Sequence, residues 1–215
     1  MKLTLRGVWM MTISMIILSA CSSTKITSSW KQEGATIQKD HKVIVLALIP
    51  NKEGGLRAQI ENEMVAELQA KGYNAISAYQ SLGPDAFKNT DEKSALRQMD
   101  RQGIENVMTV VLLDKSKEKN YVPGRGYGPG FPFYPYYGRF WNYYGFMYNR
   151  VYDPGYYTVD TKYFLEGNLY DLQNNKLLYS VQTQSFDPSS TARFAVVYSK
   201  KVAKDMFKQG LISRK

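Results

Sequence analysis

Three apolar runs in the first half of the chain predict strands of a shared sheet. Residues 42–49 and 106–114 are nearly all apolar and rich in β-branched side chains, which is typical of strands buried on both faces. Residues 73–79 predict a shorter strand between them. Because helical patterns separate the three runs, their order is β-α-β-α-β, which is typical of strands in one sheet with helices packed on it.

Two amphipathic helices are predicted between these strands. In the first, apolar side chains recur every four residues, at Leu56, Ile60, Met64 and Leu68. Glu61 and Glu63 are expected on the solvent-exposed side of this helix. Gly72 is expected just beyond its end, where a left-handed backbone favours glycine. The second helix is predicted over residues 91–102.

The second half of the chain predicts a hairpin followed by a last helix. Polar and apolar residues alternate over 157–171, an Asn-rich turn follows, and residues 177–186 predict the returning antiparallel strand. Four-residue spacing then recurs at Phe194, Tyr198, Val202 and Met206. The chain as a whole predicts an α+β fold, with one mixed β-sheet of about five strands and three helices packed mainly on it.

A long irregular insertion rich in Gly, Pro and aromatic residues interrupts this pattern at residues 121–157. It holds eleven of the 17 Tyr residues of the chain. Pro removes backbone donors and Gly raises chain entropy, so neither a regular helix nor a regular strand is predicted. Loops of this length are usually either functional or disordered. The residues expected to make contacts are Tyr134, Tyr136, Tyr137, Arg139, Trp141, Tyr143 and Tyr144.

Three interpretations of the insertion remain open. The first is a flexible cover that folds loosely over the sheet edge. The second is a platform for a protein or glycan, because Tyr and Trp give a large contact area at low entropy cost and their rings stack on sugars. The third is contact with the membrane interface, where Tyr and Trp are enriched.

The first 20 residues have the pattern of a secretory signal peptide. Lys2 and Arg6 precede an uncharged apolar stretch that is too short to be a stable membrane span. Leu18-Ser19-Ala20-Cys21 then resembles the lipobox of bacterial lipoproteins, which implies cleavage after Ala20 and acylation of Cys21, with palmitate as a typical acyl group. The alternative is a cysteine that is discarded with the signal segment. Cys21 is the only cysteine, so no disulfide is available to it.

The residues after Cys21 predict where such a lipoprotein resides. Several acyl chains would make membrane attachment effectively permanent. Enterobacterial lipoproteins that stay in the inner membrane carry Asp at the position of Ser22, so the resemblance implies an outer-membrane protein. No acidic export signal follows, which favours a face toward the periplasm. Residues 21–40 are interpreted as a lipidated polar tether with Trp30 as a docking point, and 41–212 as a single domain.

Net charge narrows the choice of partners. Removal of Lys2 and Arg6 lowers the formal charge from +9 to +7. A basic protein suits an anionic envelope surface, and nucleic acid would be the second choice. Because no RNA-binding, helix-turn-helix or zinc motif is present, we expect no nucleic-acid partner.

The chain lacks the residues that most catalytic or metal sites require. His41 is the only histidine and has no Ser or Cys nucleophile motif beside it. The counts of His and Cys argue against zinc sites, and the Gly spacing at 124–130 fits no nucleotide-binding loop. We therefore expect no cofactor, no metal and no catalytic residues.

Three segments carry a resemblance to a family. They are "SSWK" before a strand, "VIVLALIPNKEGGLRAQIENEMVAELQAKGYNAISAY", and "LYDLQNNKLLYSVQTQSFDP" before a helix that ends in "GLI". This arrangement resembles DUF4136-like small bacterial lipoproteins. It is also similar to the periplasmic α/β domain of curli-export and penicillin-binding-protein-activator lipoproteins. The resemblance implies the fold and action through protein contacts or assembly, and it transfers no catalytic residue.

These observations predict a non-catalytic lipoprotein of the bacterial envelope. We expect it to bind or assemble through the aromatic insertion, with an envelope protein, peptidoglycan or a membrane surface as the partner. The alternative is a cell-wall hydrolase or other enzyme that uses His41 or a nearby carboxylate. No pattern indicates an oligomeric state.

Overall fold

A mixed sheet of six strands with four α-helices makes up the described part of the chain. The computed structural model describes residues 24–53, 55–85, 87–122 and 156–213. The elements in chain order are β1 Thr24–Lys31, β2 Lys42–Leu48, α1 Leu56–Ala70, β3 Asn74–Ser77, α2 Ala78–Leu82, α3 Glu92–Arg101, β4 Ile104–Val122, β5 Tyr156–Asp171, β6 Lys176–Phe186 and α4 Thr191–Lys208. A short 3-10 turn spans Asn51–Glu53.

The strand order is β1-β6-β5-β4-β2-β3. β2 pairs in parallel with both β3 and β4, whereas β1 pairs antiparallel with β6. The predicted α+β class with one mixed sheet is confirmed. The structure adds one strand, β1, and one short helix, α2, to the predicted elements.

Strand β1 corrects the interpretation of residues 21–40 as a tether. Residues 24–31 are a paired strand whose register runs from Thr24 opposite Ser185 to Lys31 opposite Tyr179. The sequence shows no alternation here because β1 is an edge strand, and Thr24 is its only fully buried residue. Trp30, the predicted docking point, is half exposed on this strand.

Burial on both faces explains the continuous apolar run of β2. Alternate residues of this strand, among them Val43 and Val45, enter the larger core. Ile44 enters a smaller core on the opposite face, together with Met99 of α3. Side chains of a strand point alternately to the two faces, so a strand between two cores requires apolar residues at every position.

The larger core lies between the sheet and helices α1 and α4, which also pack against each other. The four apolar residues predicted for α1 are all buried, and so are the four predicted for α4. Gly72 has a φ of 89° just beyond α1, as predicted.

The chain divides into two compact units. Unit 1 comprises Met1–Lys115 and Tyr163–Lys215, and unit 2 comprises Ser116–Lys162. Unit 2 thus contains the predicted insertion at residues 121–157, together with the last residues of β4 and the first residues of β5. Helices long and apolar enough to cross a bilayer do not occur in the part of the chain that the structure describes.

Candidate binding ribbon and a buried carboxylate

The predicted site residues fall outside the described part of the chain. Cys21 lies before residue 24, and Tyr134, Tyr136, Tyr137, Arg139, Trp141, Tyr143 and Tyr144 lie between residues 122 and 156. What the structure describes is the base of the insertion, where β4 ends at Val122 and β5 begins at Tyr156.

This base is a two-stranded antiparallel ribbon, formed by residues 116–122 and 156–162. The Asn120 amide donates to the Asp160 carboxylate at 2.6 Å, and the Thr158 hydroxyl donates to the Asn120 carbonyl at 3.4 Å. Lys162 forms an ion pair with Glu118. These contacts hold the end of β4 and the start of β5 side by side.

The ribbon exposes two aromatic side chains and one aliphatic side chain. Tyr156 is 62% exposed, Tyr157 68% and Val159 47%. Lys117 and Lys119 are also exposed on the paired strand. Side chains that stay this exposed bury little apolar area, so they contribute little to folding through the hydrophobic effect. Exposed Tyr beside Lys is a combination suited to contact with another molecule.

Glu61 is a second feature, and the sequence prediction for it is wrong. This carboxylate is fully buried instead of lying on the solvent side of α1. Its Oε1 accepts from the Ala47 backbone N–H at 2.9 Å. Its Oε2 accepts from the Ser77 hydroxyl at 2.7 Å and from the Tyr79 backbone N–H at 2.6 Å.

The position of Glu61 follows from the shortness of β3. β2 pairs with β3 only as far as Val45 opposite Ser77, and the chain then turns into α2. The N–H groups of Ala47 and Tyr79 would otherwise lack an acceptor, and a buried unpaired N–H is costly. The Glu61 carboxylate therefore takes the place of the missing strand. Ser77 donates to it and also caps α2, since its Oγ accepts from the Gln80 N–H at 3.2 Å.

Arg57 connects Glu61 to a surface cleft. Its Nε lies 3.5 Å from the Glu61 Oε1, and its Nη1 donates to the Pro84 carbonyl. The guanidinium also lies 5.5 Å from the centre of the Tyr79 ring. The cleft has a volume of about 210 Å³ and is lined by Pro50, Gly55, Arg57, Ala58, Tyr79 and Pro84. Because these polar groups bond to one another, the arrangement fits a structural clamp at the carboxyl end of β2.

A further ion pair ties the 3-10 turn to β4. Glu53 is buried and pairs with Lys115, whose Nζ lies 5.0 Å from the centre of the Tyr163 ring. The hydrogen bond to Glu53 is the largest influence on Lys115 and raises the pKa of its ammonium group. The ammonium is thus held in its charged form, and both groups are satisfied within unit 1.

The surroundings of His41 matter because the alternative function, a cell-wall hydrolase or other enzyme, would use this residue or a nearby carboxylate. His41 interacts electrostatically with Asp171, whose carboxylate accepts from the N–H groups of Gln173 and Asn174 and from the Asn174 amide. Partial burial acts to raise the pKa of Asp171, but the bonds from Asn174 and Gln173 and the charge of His41 together lower it. Asp171 thus forms the turn between β5 and β6. Within the described ranges, no group of three or more His, Cys, Asp or Glu is placed to hold a metal ion.

Because the phenol groups of Tyr179 and Tyr198 are buried, we predict that the free energy of unfolding falls in alkali. Burial, followed by the bond to Asp205, raises the pKa of Tyr179 above its ordinary value, and burial raises the pKa of Tyr198. Above pH ~10 the unfolded chain releases these protons and the folded chain keeps them, so the free energy of unfolding falls as pH rises.

Urea unfolding of the wild type and of Tyr179→Phe between pH 8 and 11 measures this effect. The variant should be less stable at pH 8, because it loses the 2.8 Å bond to Asp205, and the difference should shrink toward pH 11. Tyr156→Phe, which changes an exposed ring, is the matched control. Parallel profiles for wild type and Tyr179→Phe would contradict the prediction.

Comparison with known proteins adds distant structural likenesses. No family model matches the chain, and no curated protein matches it. The PelC dodecamer from Paraburkholderia phytofirmans is 14% identical with a TM-score of 0.45, over 87% of this chain and 99% of that one. Lipoprotein GNA1162 from Neisseria meningitidis is 12% identical with a TM-score of 0.41, over 77% and 97%. A hemagglutinin homolog from Helicobacter pylori is 10% identical with a TM-score of 0.36, over 84% and 91%.

The matched structures are bacterial proteins, and one of them is named a lipoprotein. No family model supports the predicted DUF4136-like resemblance.

Proposed function

We propose that this protein is a non-catalytic, lipid-anchored binding module of the bacterial cell envelope. In this proposal Cys21 carries the acyl chains in the outer membrane, the domain faces the periplasm, and the segment 121–157 contacts an envelope protein or peptidoglycan. The observation that carries it is the pair of exposed tyrosines, Tyr156 and Tyr157, at the point where the Tyr-rich segment rejoins the sheet.

The ribbon supports this function through its rigidity. A contact segment binds more tightly when its base is already ordered, because less conformational entropy is lost on binding. Paired strands supply that order on both sides of the insertion, through the contacts of Asn120 and Lys162. Tyr side chains add area at a low entropy cost, and their flat rings can stack on sugar faces.

A capture experiment tests the binding function. The full-length protein, tagged at its C-terminus, is compared with a variant in which Tyr134, Tyr136, Tyr137, Arg139, Trp141, Tyr143 and Tyr144 are all serine. We expect the partner to be lost from envelope extracts or from purified peptidoglycan. A control variant, Leu96→Ser, removes an exposed apolar side chain of α3 and should keep the partner. Partners retained by the seven-residue variant would refute the proposed contact.

A separate measurement tests the anchor. Mass spectrometry of the N-terminal peptide should find an acylated Cys21 after cleavage behind Ala20, and Cys21→Ser should leave the protein unacylated. An unmodified Cys21 in the mature protein would refute the anchor and leave the binding result unaffected.

A further inference from the structure

The start of β1 limits how far the proposed lipidation site, Cys21, can lie from the folded domain. Cys21 is three residues before Thr24, and three extended residues span at most about 11 Å. Thr24 itself is buried and held on two sides. Its hydroxyl shares a 2.7 Å hydrogen bond with Ser185, and its carbonyl accepts from Lys201 at 2.8 Å.

This short connection restricts how the domain can lie on a membrane. A tether of some 20 residues would let an anchored domain rotate freely, whereas a link of about 11 Å keeps the surroundings of Thr24 at the headgroups. This step rests on the proposed acylation of Cys21. The surroundings of Thr24 are the end of β6 and the helix α4, which runs alongside β1.

The outer side of α4 is basic. Arg193, Lys200 and Lys204 are exposed and spaced by seven and four residues, which puts them on one face of the helix. The name basic face is used for this set together with the exposed lysine at its C-terminal end: Arg193, Lys200, Lys204 and Lys208.

Acidic residues near the basic face are few. Asp205, the only acidic residue of α4, accepts from the Tyr179 hydroxyl at 2.8 Å and from Gln209 at 2.8 Å. On the adjacent helix α1, Glu63 and Glu67 are half-buried, and Asp187 precedes α4. The positive charges therefore dominate the outer side of this helix.

Lys25 of β1 lies outside the basic face. Alternate residues of β6, among them Tyr179 and Val181, face α4, and Lys25 is paired with Gln184, which points to the other side of the sheet. There the Lys25 Nζ lies 5.2 Å from the centre of the Phe186 ring.

We propose that the basic face docks on anionic phospholipid headgroups and so fixes the orientation of the anchored domain on the bilayer. The occupant is a bilayer surface, because the chain leads from Thr24 to an acylated cysteine within about 11 Å. Charge complementarity supplies the attraction, at about 1 kcal/mol for each lysine near an anionic membrane.

Lysine footprinting tests the proposal on the lipidated full-length protein. The protein is reconstituted in vesicles of phosphatidylcholine alone, or with one quarter phosphatidylglycerol, and treated with a water-soluble amine-acetylating reagent. Acetylation of Lys200, Lys204 and Lys208 should be about fivefold slower on the anionic vesicles, from about 1 kcal/mol per lysine. The exposed lysines Lys52 and Lys93 should react equally in both. Equal rates for both sets would overturn the proposal.

Two charge-matched variants give a second readout. Arg193→Gln with Lys200→Gln and Lys204→Gln should remove the protection of Lys208. Replacing Lys52, Lys93 and Lys176 by Gln lowers the net charge equally and should leave Lys208 protected. Loss of protection in both variants, or in neither, would contradict docking by this face.

Two more measurements distinguish a bilayer from a soluble anion and check the anchor. If inorganic phosphate or a soluble anionic glycan slows acetylation of the same lysines in detergent without vesicles, the face binds soluble anions and the bilayer proposal is overturned. Mass spectrometry of Cys21 is done before the footprinting. An unacylated Cys21 would refute the acylation on which the docking proposal rests.

Discussion

Replacing Glu61 by alanine is expected to lower the free energy of unfolding by about 3–5 kcal/mol, the range for breaking a buried ion pair. The carboxylate is fully buried and accepts from Ala47, Ser77 and Tyr79 as well as pairing with Arg57. Alanine would leave these donors unpaired in the core and would leave a cavity. Urea denaturation followed by circular dichroism measures the effect.

Two glutamine variants sharpen this prediction. Glu61→Gln keeps the volume but replaces one acceptor oxygen by a donor that faces other donors, so it should also destabilise, though less than alanine. Glu63→Gln, on the same helix and half-buried, should change stability by no more than about 0.5 kcal/mol. Equal stabilities of Glu61→Ala and Glu63→Gln would show that the buried carboxylate is dispensable.

Replacing Gly167 by alanine is expected to cause the second large loss of stability. A Cβ at this position of β5 would lie 3.0 Å from the Tyr198 hydroxyl and 3.1 Å from the Val181 Cγ1. All three residues belong to the packed layer between the sheet and α4, where overpacking typically costs about 1–3 kcal/mol. Thermal and urea unfolding of Gly167→Ala should show a loss of this size.

Tyr198→Phe tests whether crowding against the Tyr198 hydroxyl causes this loss of stability. The hydroxyl is buried and has no hydrogen-bond partner among the described residues, so its removal alone should be nearly neutral. In that background Gly167→Ala should cost less, because the nearer of the two contacts is gone. The Val181 contact remains, so the relief should be partial. Additive effects in the double variant would show that the hydroxyl does not limit the space.

The elements with strong periodicity could be predicted from the sequence. The four-residue stripe of α1 depends only on which side chains prefer burial, and Leu56, Ile60, Met64 and Leu68 are all buried. The continuous apolar run of β2 indicated burial on two faces, which the two cores confirm. Local preference and tertiary packing agree in these elements.

The apolar stripe of α1 alone does not predict the role of Glu61. Its donors are two backbone N–H groups, from β2 and the start of α2, and the Ser77 hydroxyl of β3, and no local pattern reveals that these donors need an acceptor. A signal was present, since Glu61 stands seven residues before Leu68 and therefore on the same side of the helix. Arg57, four residues earlier, marks the same position as an ion pair. An acidic residue on a buried face indicates a buried acceptor.

By itself the sequence determined the succession of elements from β2 onward, apart from α2, and the mixed sheet, because periodicity and composition report burial residue by residue. Only the tertiary structure decided that residues 24–31 form a strand. An edge strand with one fully buried residue has no period to detect, and its stability comes from pairing with β6, roughly 150 to 160 residues away in the chain. That distant pairing also places Thr24, three residues after the proposed lipidation site Cys21, next to α4.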